Sequence, residues 1–190
     1  MAVRFMSEPP VDELVLDTGP LSHLAEAGWL GVLRTVAAPR AVVITDAVEH
    51  ELRQGSHSRP HLQQVLNAEW TKKHSLVSGT EIASFAHFSE FLVSGSRNVG
   101  ECSVLAYAQA HKATAVIDDR AARHLAQDAG IACQGTLGLL CEAIRAGLLT
   151  TAMVGSLADH LIETKYHLPF LPGGFEAWAN EHGIISPNEN

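Results

Sequence analysis

An apolar run, Ala113-Thr114-Ala115-Val116-Ile117, leads directly into Asp118-Asp119-Arg120. The run predicts a buried strand, and the residues after it predict the start of a helix. In a parallel α/β sheet, ions and phosphates bind at this end of a strand. Two adjacent carboxylates repel each other unless a cation lies between them, so we expect further oxygen ligands elsewhere in the chain.

Composition restricts the chain to a few classes of protein. With 190 residues, 46% of them hydrophobic, the chain can bury a core and is predicted to form one main domain. It has no apolar run of about 18 residues, so we expect no membrane-spanning helix. The three cysteines lack a CxxC spacing, which argues against a disulfide framework and a zinc site and fits a reducing cytoplasm. The 11 histidines form no HxH or HExxH pattern, and we predict most at the surface and none as metal ligands.

The net charge of −8 differs from the basic excess that nucleic-acid-binding proteins usually have. If five of the acids form a metal site, the rest of the chain carries only −3. Bound divalent cations would offset part of the remaining local field. The net charge therefore does not exclude an enzyme that acts on nucleic acid.

Short β-like runs alternate with helical patterns, which predicts a mostly parallel sheet covered on both faces by helices. The predicted strands lie at residues 13–17, 41–45, 75–78, 113–117 and 131–133. The first predicted helix starts at Thr18 or Gly19. The other predicted helices cover residues 46–53, 60–70, 80–92, 99–111, 120–128, 136–146, 151–165 and 175–182. We expect residues 1–12 to be a flexible lead-in and residues 93–96 to be a loop.

Acidic residues fall at the strand ends or in the first turns of these elements. Asp17 ends the first predicted strand, and Asp118-Asp119 follows the fourth. Glu51 lies beside the apolar face of its helix, whereas Glu49 points away, and Glu101 lies within the apolar stripe of its helix. No Lys or Arg has matching spacing on these faces, and a charge directed towards a core needs a partner. We therefore predict that the acids converge and coordinate Mg²⁺ or Mn²⁺ through oxygen.

Each acid also has an ordinary structural explanation. Asp17 could form a turn, and Glu51 and Glu101 could be first-turn acids favoured by the helix dipole. Asp118 could be the N-cap of the next helix and Asp119 an ordinary first-turn acid. All of these coincidences together are much less probable than one shared site.

Four motifs resemble those of PIN-domain nucleases, in particular the VapC-type toxins of toxin–antitoxin pairs. They follow the order and spacing of that family: Leu16-Asp17-Thr18-Gly19-Pro20-Leu21, Val48-Glu49-His50-Glu51-Leu52, Gly100-Glu101 and Ile117-Asp118-Asp119-Arg120. A fifth segment, Gly135-Thr136-Leu137-Gly138-Leu139-Leu140, resembles the end of one PIN-like subgroup. The resemblance covers residues 13–150, and we expect residues 151–190 to be a helical extension packed on the same domain.

The resemblance implies a three-layer α/β/α fold with a central parallel sheet in the order 3-2-1-4-5 and a helical C-terminal extension. It implies a metal-dependent ribonuclease in which Asp17, Glu51, Glu101 and Asp119 are the acidic quartet and Asp118 is a fifth ligand or a supporting group. One or two Mg²⁺ or Mn²⁺ ions are the implied cofactors. The implied partners are an RNA substrate, a small antitoxin protein and a second copy of the chain, with no membrane and a cytoplasmic location.

The chemistry can also be argued from the residues. The anionic oxygens of a phosphodiester repel a nucleophile, and a divalent cation remedies this by polarising the phosphoryl oxygen and lowering the pKa of a bound water. Asn98, Arg120 and Arg123 are candidates for positioning the substrate backbone, although Arg120 equally suits a salt bridge with Asp119. In the family, Thr18 is a hydroxyl neighbour of the first acid and could orient it or a bound water.

Two other classes of function fit part of the pattern. An Mg²⁺-dependent aspartyl-phosphate enzyme or receiver also uses acids at strand ends. Its dehalogenase-like form needs a second Asp where this chain has Gly19, and its receiver form needs the paired acids on the first strand. A non-catalytic PIN-like module that binds RNA or protein would keep the fold and lose cleavage.

Overall fold

The computed structural model describes residues 12–92 and 98–185. Residues 1–11 of the predicted lead-in and the predicted loop at 93–96 lie outside these ranges. Within them, every helix is too short or too polar to cross a bilayer.

Five parallel strands form the central sheet, and their order is β3-β2-β1-β4-β5, as predicted. The strands are β1 (Glu13–Leu16), β2 (Ala41–Thr45), β3 (Thr71–His74), β4 (Thr114–Val116) and β5 (Cys133–Gln134). In the centre, Val15 lies level with Val43 of β2 and Ala115 of β4. These three side chains are fully buried. Along β1 itself, Leu14, Val15 and Leu16 are all fully buried, as a strand covered on both faces requires.

Helices flank the sheet and continue beyond it. They are α1 (Thr18–Glu26), α2 (Leu30–Ala37), α3 (Asp46–Ser56), α4 (Leu62–Leu66), α5 (Gly79–Leu92), α6 (Val99–His111), α7 (Arg120–Asp128), α8 (Thr136–Arg145), α9 (Thr151–Glu163) and α10 (Phe175–Glu181). Helix α6 packs against β1, β2 and β4, and most of its residues are buried. Helices α9 and α10 add Leu157, Leu161 and Phe175 to the same hydrophobic core. The indole nitrogen of Trp29 donates to His160 Nδ1 at 2.9 Å, which ties α9 to the N-terminal part of the chain.

The third strand was predicted at residues 75–78 but lies at Thr71–His74. Its sequence is polar because it lies at the edge of the sheet, where β2 is its only partner among the described residues. The ammonium groups of Lys72 and Lys73 bind Glu13 and Glu49 at 3.1 and 2.9 Å. Charged side chains are common on edge strands, where one side of the strand faces solvent. Apolar periodicity therefore could not locate this strand.

Two further details differ near the first acid. The cap of α1 is Asp17, not Thr18 or Gly19, because the Asp17 carboxylate accepts a hydrogen bond from the Gly19 amide at 3.3 Å. Helix α2 was not predicted as a separate element. Gly28 adopts a φ of 78°, which ends the first helical segment and lets a second begin at Leu30.

Candidate metal centre

The direction of strand order reverses between β1 and β4, which are neighbours in the sheet. Asp17 directly follows β1, and Asp119 lies three residues beyond the end of β4. Both acids thus follow the carboxyl ends of adjacent parallel strands. A crevice forms at such a reversal, and it is where ligands bind in open α/β sheets.

Asp17 is a buried carboxylate with only 6% of its surface exposed. Its Oδ2 accepts the Gly19 amide, whereas its buried Oδ1 has no hydrogen-bond partner. Burial and the nearby Glu101 and Glu51 carboxylates raise the pKa of Asp17 to about 8, although the amides of Thr18 and Gly19 oppose this shift. An unpaired buried oxygen beside two other acids is costly unless a cation neutralises it.

Glu51 is fixed by two hydrogen bonds, one on each carboxylate oxygen. The hydroxyl of Thr18 donates to Oε2 at 2.6 Å, and the backbone amide of Gly100 donates to Oε1 at 3.0 Å. The burial of Val48 and Leu52 directs this side of α3 towards the core, as the periodicity predicted. Glu49 instead binds Arg53 and Lys73, so the two glutamates of α3 have different surroundings.

Gly100 marks the point where two of the acids meet. A Cβ atom at this position would lie 2.8 Å from Glu51 Oε2 and 3.1 Å from Asp17 Oδ1. Both distances are shorter than real Cβ contacts normally are. The residue before Glu101 must therefore lack a side chain for these carboxylates to approach the first turn of α6.

Glu101 and Asp119 complete the acidic quartet, by which we mean Asp17, Glu51, Glu101 and Asp119. Burial raises the pKa of Glu101, and the charges of Glu51 and Asp119 raise it further. Asp119 is exposed and caps α7, accepting the Ala122 amide at 2.8 Å. The structure thus makes Asp119, not Asp118, the N-cap.

Asp118 has a different set of contacts. Its Oδ1 accepts the backbone amide of Thr136 and its Oδ2 accepts the Thr136 hydroxyl, both at 2.8 Å. A Cβ on Gly135 would lie 2.9 Å from Asp118 Oδ1 and 2.7 Å from Arg123 Nη1, so any larger residue there would displace these groups. Burial and the Asp118 charge raise the pKa of Tyr166, whose hydroxyl also faces this carboxyl. Asp118 therefore holds the Gly135-Thr136 segment at the start of α8.

Among the residues that the structure describes, no acid of the quartet forms an ion pair. The ion pairs of those residues involve other acids, namely Glu13, Glu26, Glu49, Glu81 and Glu142. Hard oxygen donors without a cationic side chain suit Mg²⁺ or Mn²⁺. Such an ion would supply the partner that the buried Oδ1 of Asp17 lacks.

The profile of the PIN-domain family matches residues 13–170. The chain belongs to the PIN-domain family. PIN domains are typically metal-dependent nucleases. Among solved structures, the chain is similar to VapBC2 from Rickettsia felis bound to a DNA fragment from its promoter, with 12% identity and a TM-score of 0.47 over 64% of this chain and 97% of that chain. No curated protein matches the sequence.

A cavity of about 760 Å³ borders Asp118 in this PIN domain. Arg120, Arg123 and Lys165 line it together with His23, whose pKa is lowered by burial. Three permanent positive charges therefore surround a single carboxylate. This local excess contrasts with the negative charge of the whole chain.

The remaining predicted positioning residue, Asn98, has a structural contact. It adopts a φ of 64° at the start of α6, and its amide nitrogen donates to the Leu92 carbonyl oxygen at 3.1 Å. Asparagine tolerates this left-handed conformation better than most residues. Its side chain therefore bridges the end of α5 and the start of α6.

A second cluster lies elsewhere in the PIN domain and was missed at the sequence level. The Nε2 atoms of His74 and His111 both hydrogen-bond to Oε1 of the buried Glu81. Glu81 Oε2 accepts the amides of Val77 and Ser78 at 3.1 and 2.8 Å. Burial acts to raise the pKa of Glu81, but the hydrogen bonds from His111, Ser78 and His74 outweigh it and hold that pKa well below its usual range.

One local signal for Glu81 was present in the sequence. Ser78 and Glu81 have the spacing of a capping box, and the structure contains both of its reciprocal hydrogen bonds. That pattern identifies a helix start but not the two histidines. His74 and His111 lie 37 positions apart and meet Glu81 only through tertiary packing.

Proposed function

We propose that this PIN domain is an endoribonuclease that hydrolyses RNA phosphodiester bonds with one or two Mg²⁺ or Mn²⁺ ions at the acidic quartet. The observation that carries the proposal is the buried Asp17 Oδ1, which has no hydrogen-bond partner and faces Glu51 across Gly100. Among the described residues no Lys or Arg forms an ion pair with an acid of the quartet, which adds support, because a group of unpaired acids is unstable without a cation.

The residues of the quartet have distinct tasks in this mechanism. Bound there, a divalent cation supplies a polarised phosphoryl oxygen and a water of lowered pKa. Asp17 offers an oxygen that no other donor occupies. Thr18 and the Gly100 amide hold the Glu51 carboxylate in one orientation. Glu101 and Asp119 add negative charge from the first turn of α6 and the cap of α7.

The cavity lined by Arg120, Arg123 and Lys165 is the proposed binding site for the RNA backbone. Arg120 and Arg123 lie in the first turns of α7, after Asp119, and Lys165 lines the same cavity. Guanidinium groups bind phosphate oxygens with two parallel hydrogen bonds. We assign these cations to the RNA backbone, and we assign Asp118 a supporting task because Thr136 occupies both of its oxygens.

Cleavage of a mixed-sequence single-stranded RNA tests the proposal. Purified protein is assayed with Mn²⁺ or Mg²⁺, with EDTA, and beside single-stranded DNA of the same sequence. The variants are Asp17→Asn and Glu51→Gln, and Glu49→Gln is the matched control because Glu49 lies on the same helix but binds Lys73 and Arg53. We expect a loss of at least about 100-fold in both quartet variants and none in the control.

The outcomes separate the alternatives. Cleavage that persists in both quartet variants contradicts the site, and preferential cleavage of DNA contradicts the substrate. Metal binding without turnover of either nucleic acid supports the non-catalytic binding module instead.

We also propose that the protein is the toxin of a toxin–antitoxin pair and acts as a homodimer, as its motifs suggest. Expression in a bacterial host should then arrest growth, and Asp17→Asn should restore it. Co-purification with the product of a small adjacent reading frame tests the antitoxin partner. Light scattering of the purified chain tests the homodimer. Growth arrest that is equal for wild type and Asp17→Asn would exclude RNA cleavage as its cause.

A further inference from the structure

We propose that His74, Glu81 and His111 form a second metal site, suited to Zn²⁺ and separate from the acidic quartet. The three side chains come from three elements: the end of β3, the first turn of α5 and the end of α6. One atom from each lies within 4.8 Å of the other two. Glu101 and His111 are ten residues apart on α6, about 15 Å along the helix axis, so the two sites are distinct.

The carboxylate is already oriented for coordination. Glu81 is 1% exposed, and the amides of Val77 and Ser78 hold its Oε2. Its Oε1 is thereby directed at both imidazoles. A metal ligand usually has such a supporting hydrogen bond on its other atom, which fixes its orientation.

The aromatic ring of Tyr107 packs against both imidazoles. Tyr107 stacks on His111 with ring centroids 4.2 Å apart, and it meets His74 edge-on at 4.8 Å. The Tyr107 hydroxyl is anchored by donating to Glu13 Oε2 at 2.7 Å. One aromatic ring therefore positions both nitrogen ligands against the same carboxylate oxygen.

The distances require only a small adjustment. His111 Nε2 lies 2.8 Å from Glu81 Oε1. Ligand atoms around tetrahedral Zn²⁺ are about 3.3 Å apart, from Zn–N and Zn–O bonds of about 2.0–2.1 Å. His74 is the last residue of β3 and His111 is the last residue of α6, and a shift of less than about 1 Å at each would bring the ligand atoms to this spacing. The His111 side chain is 38% exposed, which leaves the fourth position open to water.

The ligand types favour Zn²⁺ over Mg²⁺. Two imidazoles and one carboxylate suit Zn²⁺, whereas Mg²⁺ prefers oxygen ligands alone. Coordination needs the lone pair of each Nε2, so each ring must carry its proton on Nδ1 when the ion binds. Bound Zn²⁺ would join the edge strand β3 to α5 and α6.

Titration with Zn²⁺ tests this site in the full-length chain after treatment with a chelator and dialysis. Calorimetry gives the number of ions bound, and Co²⁺ serves as the spectroscopic probe because a tetrahedral site gives it visible absorption. The test variants are His74→Gln and His111→Gln, since glutamine can still donate a hydrogen bond to Glu81. His124→Gln is the control because His124 is an exposed histidine of α7.

We expect the wild type, His124→Gln and Asp17→Asn to bind this Zn²⁺ ion alike. His74→Gln and His111→Gln should each weaken its binding by more than about 100-fold, as loss of a ligand implies. The proposal is overturned if neither glutamine variant changes Zn²⁺ binding, if Asp17→Asn abolishes it, or if the wild type binds no Zn²⁺. None of these readouts depends on RNA cleavage, so failure of the proposed nuclease function leaves the test intact.

Discussion

The acidic quartet and the histidine cluster both contain buried carboxylates, but their surroundings are opposite. In the quartet, Asp17 has an oxygen without a donor and a pKa raised by burial and by neighbouring acids. In the histidine cluster, both oxygens of Glu81 accept hydrogen bonds and its pKa is lowered. The first arrangement opposes folding and attracts a cation, whereas the second stabilises the fold without one.

The difference distinguishes a buried charge that stabilises the fold from buried charges that are placed for activity. Glu81 joins three elements through hydrogen bonds, and its removal should therefore be costly to the fold. The carboxylates of the quartet repel one another, and removal of one should be favourable to the fold but harmful to activity. Residues placed for function often reduce stability in this way.

The largest expected effect is the destabilisation by Glu81→Ala. The substitution leaves the amides of Val77 and Ser78 and both imidazoles without their acceptor. We expect the free energy of unfolding to fall by about 3–5 kcal/mol, the usual result of breaking a buried charged network. Urea denaturation in EDTA measures it. Glu90→Ala, at an exposed position of the same helix, should stay within about 0.5 kcal/mol of wild type.

The next effect is a loss of cleavage in Gly100→Ala. The new methyl group would lie 2.8 Å from Glu51 and 3.1 Å from Asp17, so the two carboxylates must separate. We expect the cleavage rate to fall by about 100-fold, since misplacement of about 1 Å has this effect. Gly31→Ala is the control because a Cβ there meets nothing within 4 Å. Equal activity of both variants would contradict the role of Gly100.

Sequence patterns predicted the elements that carry the four acids, because Asp17 and Asp119 follow apolar strands and the other two acids lie on helices with clear apolar stripes. Glu51 and Glu101 lie beside or within apolar stripes, and their helices formed where predicted. The order of the sheet followed from the family resemblance and is confirmed. The sequence patterns did not predict that Asp118 binds Thr136 and that Asp119 caps α7. The first contact depends on tertiary packing and the second on cap geometry.

The parts that were missed are polar or non-local. The edge strand Thr71–His74 has no apolar alternation, because its charged side chains form ion pairs at the sheet edge. The histidine cluster joins residues from β3, α5 and α6, and histidines far apart in sequence give no motif. The capping-box spacing of Ser78 and Glu81 predicts a helix start there and gives no indication of the two histidines.

Asp17→Asn should give a smaller effect, of opposite sign to that of Glu81→Ala. Asparagine caps a helix as well as aspartate does, so the substitution chiefly removes charge. We expect the chelator-treated variant to be more stable than wild type by on the order of 2 kcal/mol at pH 8. Because the pKa of Asp17 is raised from 3.8 to about 8, the folded wild type retains a proton that the unfolded chain has lost. Its stability therefore falls as the pH rises from about 4 to about 8.

Thermal and urea denaturation at pH 5 and pH 8 measure this difference, and we expect a smaller gain at pH 5. Saturating Mn²⁺ should reverse the order at pH 8, since the ion stabilises only the chain that binds it. A variant less stable than wild type at pH 8 in EDTA would mean that Asp17 already has a favourable partner.

The smallest expected effect is that of Thr18→Val, which removes one hydrogen bond to Glu51 Oε2. Glu51 keeps its bond from the Gly100 amide, so its carboxylate gains rotational freedom without leaving the quartet. We expect about a 10-fold fall in kcat, equal to about 1.4 kcal/mol, with RNA affinity unchanged. Thr18→Ser keeps the hydroxyl and should restore kcat. If serine is as impaired as valine, Thr18 acts through packing, and the orientation of Glu51 then depends on Gly100 alone.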